Sequence, residues 1–246
     1  MKQSKVLPAV LLTSFIVSQY VNAECLSGDC ENGTGTFIIE DGRKYIGMWK
    51  NGSRDGQGSL TWPNGDHYVG LWKNDKMNGE GTFSGLAGWK YIGQWENSEM
   101  HGQGEYTWAN GDKYVGLWKN GKRHGQGTHS LVEGEEYIGQ WEDGNMHGYG
   151  SYTWPDGKKY LGQWKADLPD GQGTYSWPNG TEYIGQFKAG KRHGQGSLTL
   201  VNGAKYIGLW KDDQEDGRGT YYSRKGLVRN KIYDNGTQID STLVFK

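Results

Sequence analysis

Four histidines recur at one position of a repeated phrase and are the first candidates for metal chemistry. They stand directly before a Gly-x-Gly, as His101, His124, His147 and His193. Ligands of one zinc ion must each approach it to about 2 Å. If each repeat forms a two-stranded hairpin, equivalent positions of successive repeats lie about 10 Å apart. Other copies of the phrase carry Asp or Asn at this position, which is typical of a turn. We therefore predict no metal site and no cofactor.

Two segments resemble a phosphate-binding loop, Gly116–Arg123 and Gly185–Arg192. In a true loop, Ser or Thr follows the lysine to hold magnesium, and the loop connects a strand to a helix. Here arginine follows the lysine in both segments, and both belong to a repeated phrase that is not helical. No serine nucleophile elbow or dinucleotide fingerprint is present either. These features argue against an enzyme.

The same phrase organises almost the whole chain, because tyrosine recurs every 23 residues. The eight positions are Tyr45, Tyr68, Tyr91, Tyr114, Tyr137, Tyr160, Tyr183 and Tyr206. Each tyrosine begins Tyr-x-Gly-x-Trp, in which only Phe187 replaces the tryptophan, and Gly-x-Gly follows eleven residues after the tyrosine. A period of this size indicates a solenoid, a propeller or a linear array of repeats.

One repeat reads as a β-hairpin. Side chains alternate along Tyr45–Trp49 and along Gly58–Trp62, which predicts two short strands. Turn formers fill Lys50–Asp55 between them and Pro63–Gly65 after them. The alternation puts Tyr45, Gly47, Trp49, Gly56, Gly58, Leu60 and Trp62 on one face. Glycine leaves room there for rings to lie on the neighbouring backbone, and stacked repeats bury a continuous row of rings.

This phrase resembles the MORN repeat, over about residues 33–221. The resemblance implies an all-β fold, an elongated single-layer antiparallel array of about eight 23-residue hairpins. It also implies a non-catalytic role in scaffolding, protein contact or membrane-surface contact. Some plant lipid kinases carry MORN repeats, but the residues outside these repeats are too few for a catalytic domain. The departures, read as bends or caps, are Phe187, Gly85–Gly88, Asp167–Pro169 and Ser223.

The ends of the chain extend this frame. Residues 1–23 have a basic start, an apolar stretch and small residues before Glu24, which predicts a signal peptide, with an uncleaved anchor as the alternative. Either predicts an exported protein, which is periplasmic, in the cell envelope or secreted. Residues 24–44 form a half repeat, 45–221 the array and 222–246 a worn repeat and cap. We predict that Cys25 and Cys30 form a disulfide, since exported cysteine pairs are usually oxidised.

Charge argues against nucleic acid as a ligand. Without Lys2 and Lys5 of the predicted signal peptide, the 27 basic residues fall to 25 against 28 acidic ones, a net charge of −3. Nucleic-acid binding normally requires a strongly basic face.

Three kinds of partner stay open for such a repeat array. A protein partner is the first, along rings of the aromatic face such as Tyr114, Trp118, Tyr137, Trp141, Tyr160 and Trp164. Anionic lipid, as a phosphoinositide or a membrane surface, is the second. Its candidate edge is formed by Lys122, Arg123, Lys191 and Arg192. Cell-wall glycan stacked on the rings is the third. The end strand Thr242–Phe245 also permits a homo-oligomer through edge pairing.

Overall fold

The computed structural model describes residues 23–245, and these fold into twenty β-strands. The predicted signal peptide, residues 1–23, lies outside the described residues except for Ala23. The strands are β1 (Glu24–Gly28), β2 (Thr34–Ile38), β3 (Lys44–Lys50), β4 (Ser53–Thr61), β5 (His67–Lys73), β6 (Lys76–Ser84), β7 (Lys90–Glu96), β8 (Glu99–Thr107), β9 (Lys113–Lys119), β10 (Lys122–Ser130), β11 (Glu136–Glu142), β12 (Asn145–Thr153), β13 (Lys159–Lys165), β14 (Leu168–Ser176), β15 (Glu182–Lys188), β16 (Lys191–Thr199), β17 (Lys205–Lys211), β18 (Gln214–Tyr222), β19 (Val228–Asp234) and β20 (Thr237–Phe245).

Each strand pairs antiparallel with the strands before and after it, in one open sheet. One 23-residue repeat supplies two strands. Twenty strands spaced about 4.8 Å apart make a sheet about 90 Å across. The predicted fold class, an all-β single-layer array of hairpins, is confirmed.

The hairpin turn is shorter than the sequence suggested. In the first repeat only Asn51 and Gly52 form it, with φ of 50° and 70°. Two consecutive positive φ values define the tight turn that matches the twist of antiparallel strands. Strand β4 therefore begins at Ser53, and the polar residues Arg54 and Asp55 belong to that strand rather than to a loop.

The two glycines of Gly-x-Gly have different roles. Between the pairs Gly47–Gly58 and Trp49–Arg54 the register shifts, so β4 bulges. Gly56 lies in this bulge with φ of 102°, and a Cβ on it would meet Met48 on the side opposite Tyr45. The prediction that Gly56 shares the aromatic face is wrong, because the bulge turns that residue around.

The second glycine lies under the tyrosine ring. A Cβ on Gly58 would sit 2.5 Å from Tyr45 Cζ, and one on Gly47 would sit 2.5 Å from the Tyr45 hydroxyl. Tyr45 therefore lies flat along the sheet, and its hydroxyl donates to Met48 O at 3.0 Å. The tyrosine of every repeat makes this hydrogen bond to the carbonyl three residues later, at 2.8–3.4 Å.

Each tyrosine is also clamped between two other rings. Tyr114 meets Trp118 of its own repeat at 5.1 Å and Trp141 of the next at 5.3 Å, both edge to face. The indole of Trp141 then donates to Gly127 O at 3.2 Å. We call these tyrosines and the tryptophans or phenylalanine that clamp them the inner row. The inner row is the buried core of this single-layer sheet. Its edge-to-face ring pairs stabilise the array in addition to the ring area that they bury.

The departures from the phrase leave the hairpin intact. Gly85 replaces the tryptophan that precedes the turn, but the Trp89 ring lies against Gly85 and occupies that space. The turn keeps its hydrogen bond from Gly85 N to Trp89 O, at 2.9 Å. Phe187 packs between Tyr160 and Tyr183 as tryptophan does elsewhere. The structure shows no bend at Gly85 or Phe187, two of the four positions predicted to be bends or caps.

The two ends of the sheet differ. At the start, a disulfide joins Cys25 of β1 to Cys30 in the connection between β1 and β2. At the other end, Tyr233 of β19 pairs with Gly217 and packs on Tyr206, as the tryptophan of each repeat does. Lys231 stands where the strand glycine would be, and its ammonium lies 4.6 Å from the Tyr221 ring centroid. The tyrosine-over-glycine arrangement ends there.

Candidate binding face

The six rings predicted as the contact surface are buried. Their exposed fractions are 5% or less for Tyr114, Trp118, Tyr137, Trp141, Tyr160 and Trp164. A partner cannot touch rings that neighbouring repeats already cover. The structure therefore corrects the choice of residues: the inner row is the core of the array, and the accessible rings lie elsewhere on the same face.

The accessible rings form a second row, nearer the turns that join one hairpin to the next. This outer row consists of Trp62, Phe83, Trp89, Tyr106, Trp108, His129, Tyr152, Trp154, Tyr175 and Trp177, all half-buried. Neighbouring members touch within two groups, from Trp62 to His129 and from Tyr152 to Trp177, as Trp108 does with Tyr106 at 4.7 Å and with His129 at 5.2 Å. Leu131 stands at the tryptophan position between the two groups. Burial is the main cause that lowers the pKa of His129, so this imidazole is a neutral ring near pH 7. Outer-row rings that lie in even-numbered strands pair with inner-row tyrosines, as Tyr106 of β8 does with Tyr114 of β9. The two rows therefore lie on the same face of the sheet.

Donor groups of the outer row are largely unused by the protein. The inner-row indoles from Trp72 to Trp210 donate to glycine carbonyls at 3.1–3.3 Å, whereas that of Trp49 in the first repeat has no partner among the described residues. Within residues 23–245, by contrast, the indole N–H groups of Trp62, Trp108 and Trp154 make no hydrogen bond to protein. Tyr152 differs, since its hydroxyl donates to Glu135 at 2.7 Å. The outer row therefore offers apolar ring faces together with free donors.

A cleft recurs between the outer row and the hairpin turns. One copy, of about 370 Å³, is lined by Phe83, Trp95, Ser98, Met100, Gly121 and neighbouring rings. A second, of about 250 Å³, is lined by the residues four repeats later in the phrase: Tyr175, Phe187, Gly190, Arg192 and Asp213. The two clefts therefore occupy equivalent positions of two repeats.

An acidic edge runs beside the outer row. The turns that follow its rings carry Asp66, Asp112, Glu133 and Glu135, and none of these carboxylates forms an ion pair within the described part of the chain. The turn backbone places them next to the rings, since Trp108 N donates to Asp112 O at 2.9 Å. Hydrogen bonds from the backbone of Val132 and from Asn110 hold the pKa of Asp112 low. Asp112 is therefore negatively charged at neutral pH.

The predicted lipid-contact edge is divided between two environments. Lys122 and Lys191 are exposed, whereas strand alternation turns the following arginines onto the aromatic face. Arg123 lies 4.1 Å from the Trp141 ring centroid, and Arg192 lies 4.3 Å from that of Trp210.

Both guanidinium groups are hydrogen-bonded in that position. Arg123 donates to Gly144 O at 2.7 Å, and Arg192 donates to Asp213 O at 2.6 Å. These two arginines stabilise the stacking of adjacent repeats, and in this structure their charges are not presented to a lipid surface. This corrects their placement on the predicted edge.

The opposite face of the sheet is aliphatic and polar. Its exposed ladder is Ile46, Val69, Ile92, Val115, Ile138, Leu161, Ile184 and Ile207. Strands between them place Ser59, Thr82 or an equivalent polar residue in the same row. Two exposed rings, Tyr149 at 55% and Tyr222 at 40%, lie far apart on this face. This face therefore shows isolated aliphatic side chains instead of a continuous row of rings.

Two of the four recurring histidines lie beside a glutamate of the preceding strand. His101 approaches Glu96 at 3.3 Å, and His147 approaches Glu142 at 3.2 Å. Over residues 23–245, no three His, Cys, Asp or Glu side chains are grouped as a metal ion would require. That same part of the chain contains no helix long and apolar enough to span a membrane.

The family model described as the MORN repeat matches the chain eight times. The matched residues are 45–67, 68–85, 91–113, 114–135, 137–159, 160–182, 183–205 and 206–228. The chain belongs to the MORN-repeat family. The predicted recognition is confirmed. MORN repeats form scaffold and interaction modules, and this chain carries such a module across most of its length.

Solved structures show only a distant likeness to this MORN array. The SAS-4 (dCPAP) TCP domain of Drosophila melanogaster, solved with a proline-rich motif of Ana2, is 14% identical. That match covers 64% of this chain and 86% of that chain, with a TM-score of 0.38.

The TCP10 domain of Danio rerio CPAP, solved with a STIL peptide, is 16% identical over 91% of this chain and 99% of that chain, with a TM-score of 0.31. Virginiamycin B lyase from Staphylococcus aureus reaches 7% identity over 86% and 88%, with a TM-score of 0.19. No curated protein sequence matches the chain. At these TM-scores, the structural likenesses carry no argument about function.

Proposed function

We propose that this MORN array is an exported, non-enzymatic scaffold that binds a protein partner along its outer row. The observation that carries the proposal is the contrast within one face: the inner row is buried, while the rings of the outer row stay accessible from Trp62 to Trp177. Tyr and Trp are the residues most enriched among energetic anchors of protein interfaces. Affinity accumulates along the row, since each repeat presents nearly the same groups.

Export is supported by the disulfide between Cys25 and Cys30. Structural disulfides form and persist in oxidising compartments and are rare where thiols are kept reduced. The basic start and the apolar stretch of residues 1–23 agree with this location. Purification from the producing organism, followed by intact mass, tests both points: a chain that starts at Glu24 with no alkylatable thiol is the expected form.

Anionic lipid and glycan are less well supported as partners. Arg123 and Arg192 are engaged with rings and carbonyls, which leaves Lys122 and Lys191 as the exposed cations of the predicted lipid edge. The carboxylates beside the outer row repel an anionic surface. Glycan stacking uses the same rings as a protein would, so the two are separated by experiment.

The test is site-specific photocrosslinking in the producing cell. A photoreactive phenylalanine analogue replaces Trp108 or Trp154 in the outer row, and in a control variant it replaces Tyr149 on the opposite face. One protein adduct common to both outer-row positions and missing at Tyr149 is the expected result. Adducts at Tyr149 alone, or binding of the purified protein only to anionic vesicles or cell-wall polysaccharide, would overturn the proposal.

A further inference from the structure

The repeat distance of the aromatic face restricts which peptide conformation fits it. Equivalent rings of successive repeats are two strands apart, about 9.6 Å. A polyproline II helix advances about 3.1 Å per residue with three residues per turn, or about 9.3 Å per turn. An extended strand repeats its side chains every 6.6–6.8 Å or so. Of these conformations, only polyproline II returns the same side chain to the same position in every repeat.

We propose that the outer row binds a basic, proline-rich peptide segment in the polyproline II conformation, running across the strands. This inference rests on the proposed function and names the chemistry of the partner. The mismatch of about 0.3 Å per repeat follows from the two periods and reaches only about 1.2 Å over four repeats. The segment therefore stays in register along the tract from Trp62 to His129.

The chemistry of the row suits this ligand. Polyproline II has no internal hydrogen bonds, so its carbonyls need donors from a partner or from water. The indoles of Trp62 and Trp108 have no hydrogen-bond partner within the described residues and provide such donors. Proline rings pack on aromatic faces, and the pre-formed helix costs little conformational entropy on binding.

The acidic edge sets the charge of the partner. Asp66, Asp112, Glu133 and Glu135 lie beside the tract from Trp62 to His129 without cationic partners. In a helix with three residues per turn, one arginine in every triplet forms a single line along one side. Such a line faces the carboxylates while the two prolines of each triplet contact the rings. Complementary charge of this kind selects partners and speeds their association.

The test uses synthetic peptides and the whole protein. The ligand is (Pro-Pro-Arg)₅, about 46 Å long in polyproline II, and the controls are (Gly-Ser-Arg)₅ and (Pro-Pro-Glu)₅. The tract from Trp62 to His129 spans about six strand spacings, or about 29 Å. We expect (Pro-Pro-Arg)₅ to bind in calorimetry, and a peptide of two triplets, which is shorter than the tract, to bind more weakly. Both controls should bind at least about tenfold more weakly, since one lacks the helix and the other the charge.

Protein variants locate the site. Trp108→Ala should weaken binding of (Pro-Pro-Arg)₅ at least about tenfold, as expected for an interface anchor. Tyr149→Ala removes an exposed ring from the opposite face and should change it less than about twofold. Asp112→Asn should reduce binding of the arginine peptide but not of (Pro-Pro-Gln)₅. Unchanged circular dichroism and unfolding midpoints exclude misfolding as the cause.

Several results would overturn the inference. Equal binding of (Gly-Ser-Arg)₅ would show that charge alone acts, and no binding at millimolar peptide would remove the peptide class. Binding of chitohexaose to the same tryptophans instead would assign the row to glycan. If photocrosslinking at Trp108 still captured a protein while (Pro-Pro-Arg)₅ failed to bind, the scaffold function would stand and the polyproline conformation alone would be wrong.

Discussion

The inner and outer rows carry the same kinds of ring on the same face of one sheet, yet one row is core and the other is surface. Tyr114 has 0% exposure because glycine lies beneath it and a tryptophan stands on either side. Tyr106, directly across from it on β8, also contacts tryptophans, Trp89 at 6.1 Å and Trp108 at 4.7 Å, but within residues 23–245 no glycine lies beneath its ring and it stays half-buried. The difference teaches that the glycine positions, more than the number of rings, decide which rings hold the array together.

Alkaline pH should have the largest effect on this comparison, because it acts on every inner-row tyrosine at once. Burial raises the pKa of Tyr114 from 10.0 to about 12, and that of Tyr45, Tyr183 and Tyr206 to about 12 as well. The unfolded chain ionises near pH 10, so the stabilisation is complete below pH 10 and is lost as pH rises from 10 through about 12.

The measurement is the urea concentration at the midpoint of unfolding, at pH values of about 9 and about 11. A marked fall is expected, and high salt controls for the lysines that titrate in the same range, since it screens exposed charges. An unchanged midpoint would show that the inner-row hydroxyls are not buried.

Removal of one inner-row ring should have the next largest effect. Trp118 is 5% exposed and contacts both Tyr91 and Tyr114. Trp118→Ala should cost about 3–5 kcal/mol of unfolding free energy, as for other large-to-small core changes. Lys119→Ala, at the exposed neighbour, should stay within about 0.5 kcal/mol. Equal losses in chemical denaturation would contradict the assignment of the inner row as core.

Filling the space beneath a ring should cost less than deleting the ring. A Cβ on Gly127 would lie 2.5 Å from Tyr114 Cζ, well inside van der Waals contact. Gly127→Ala should therefore lift the ring and cost about 1–3 kcal/mol, the usual range for overpacking. Thr128→Ala, whose side chain points to the other face, serves as the control in the same unfolding experiment and should cost less. A neutral Gly127→Ala would mean that the tyrosine does not lie on the glycine.

The fold was predictable because two periods coincide in the sequence. Tyrosine recurs every 23 residues, and within Tyr45–Trp49 the side chains alternate, which together define stacked hairpins and their aromatic face. The bulge was not predictable, since alternation alone puts Gly56 beside Tyr45, whereas the extra residues in β4 turn it around. A count of residues between Gly47 and Gly58 against a two-residue turn was the available signal.

The accessible surface was less predictable than the fold. The sequence marks Trp118 and Trp108 equally as rings on the aromatic face, and only packing across adjacent repeats separates buried from accessible. The phrase also hid Trp89, which stands four residues from Gly85 and fills its place through the turn. Local patterns specify strands and faces, whereas ring burial depends on contacts between repeats.

An outer-row ring should matter less for stability than an inner-row ring. Trp154 contacts Tyr152 at 4.6 Å and Tyr175 at 5.4 Å but keeps part of its surface in water. Trp154→Ala should therefore cost about 1–2 kcal/mol, below the cost of Trp118→Ala. Urea denaturation of the two variants in parallel checks the order. The reverse order would exchange the roles of the two rows.

The smallest effect should come from the opposite face, at the bulge. Gln163 Oε1 accepts a hydrogen bond from Gln172 N at 2.7 Å, beside the bulge glycine Gly171. Because the side chain is exposed, water can replace it, and Gln163→Leu should cost at most about 0.5–1 kcal/mol. Leu117 occupies the same position in another repeat, so Leu117→Gln should stabilise the array by a similar amount. Paired denaturation curves for the two variants test this. Changes in unfolding free energy of the same sign would show that the glutamine side chain does not stabilise the bulge. The position would then tolerate either residue for another reason.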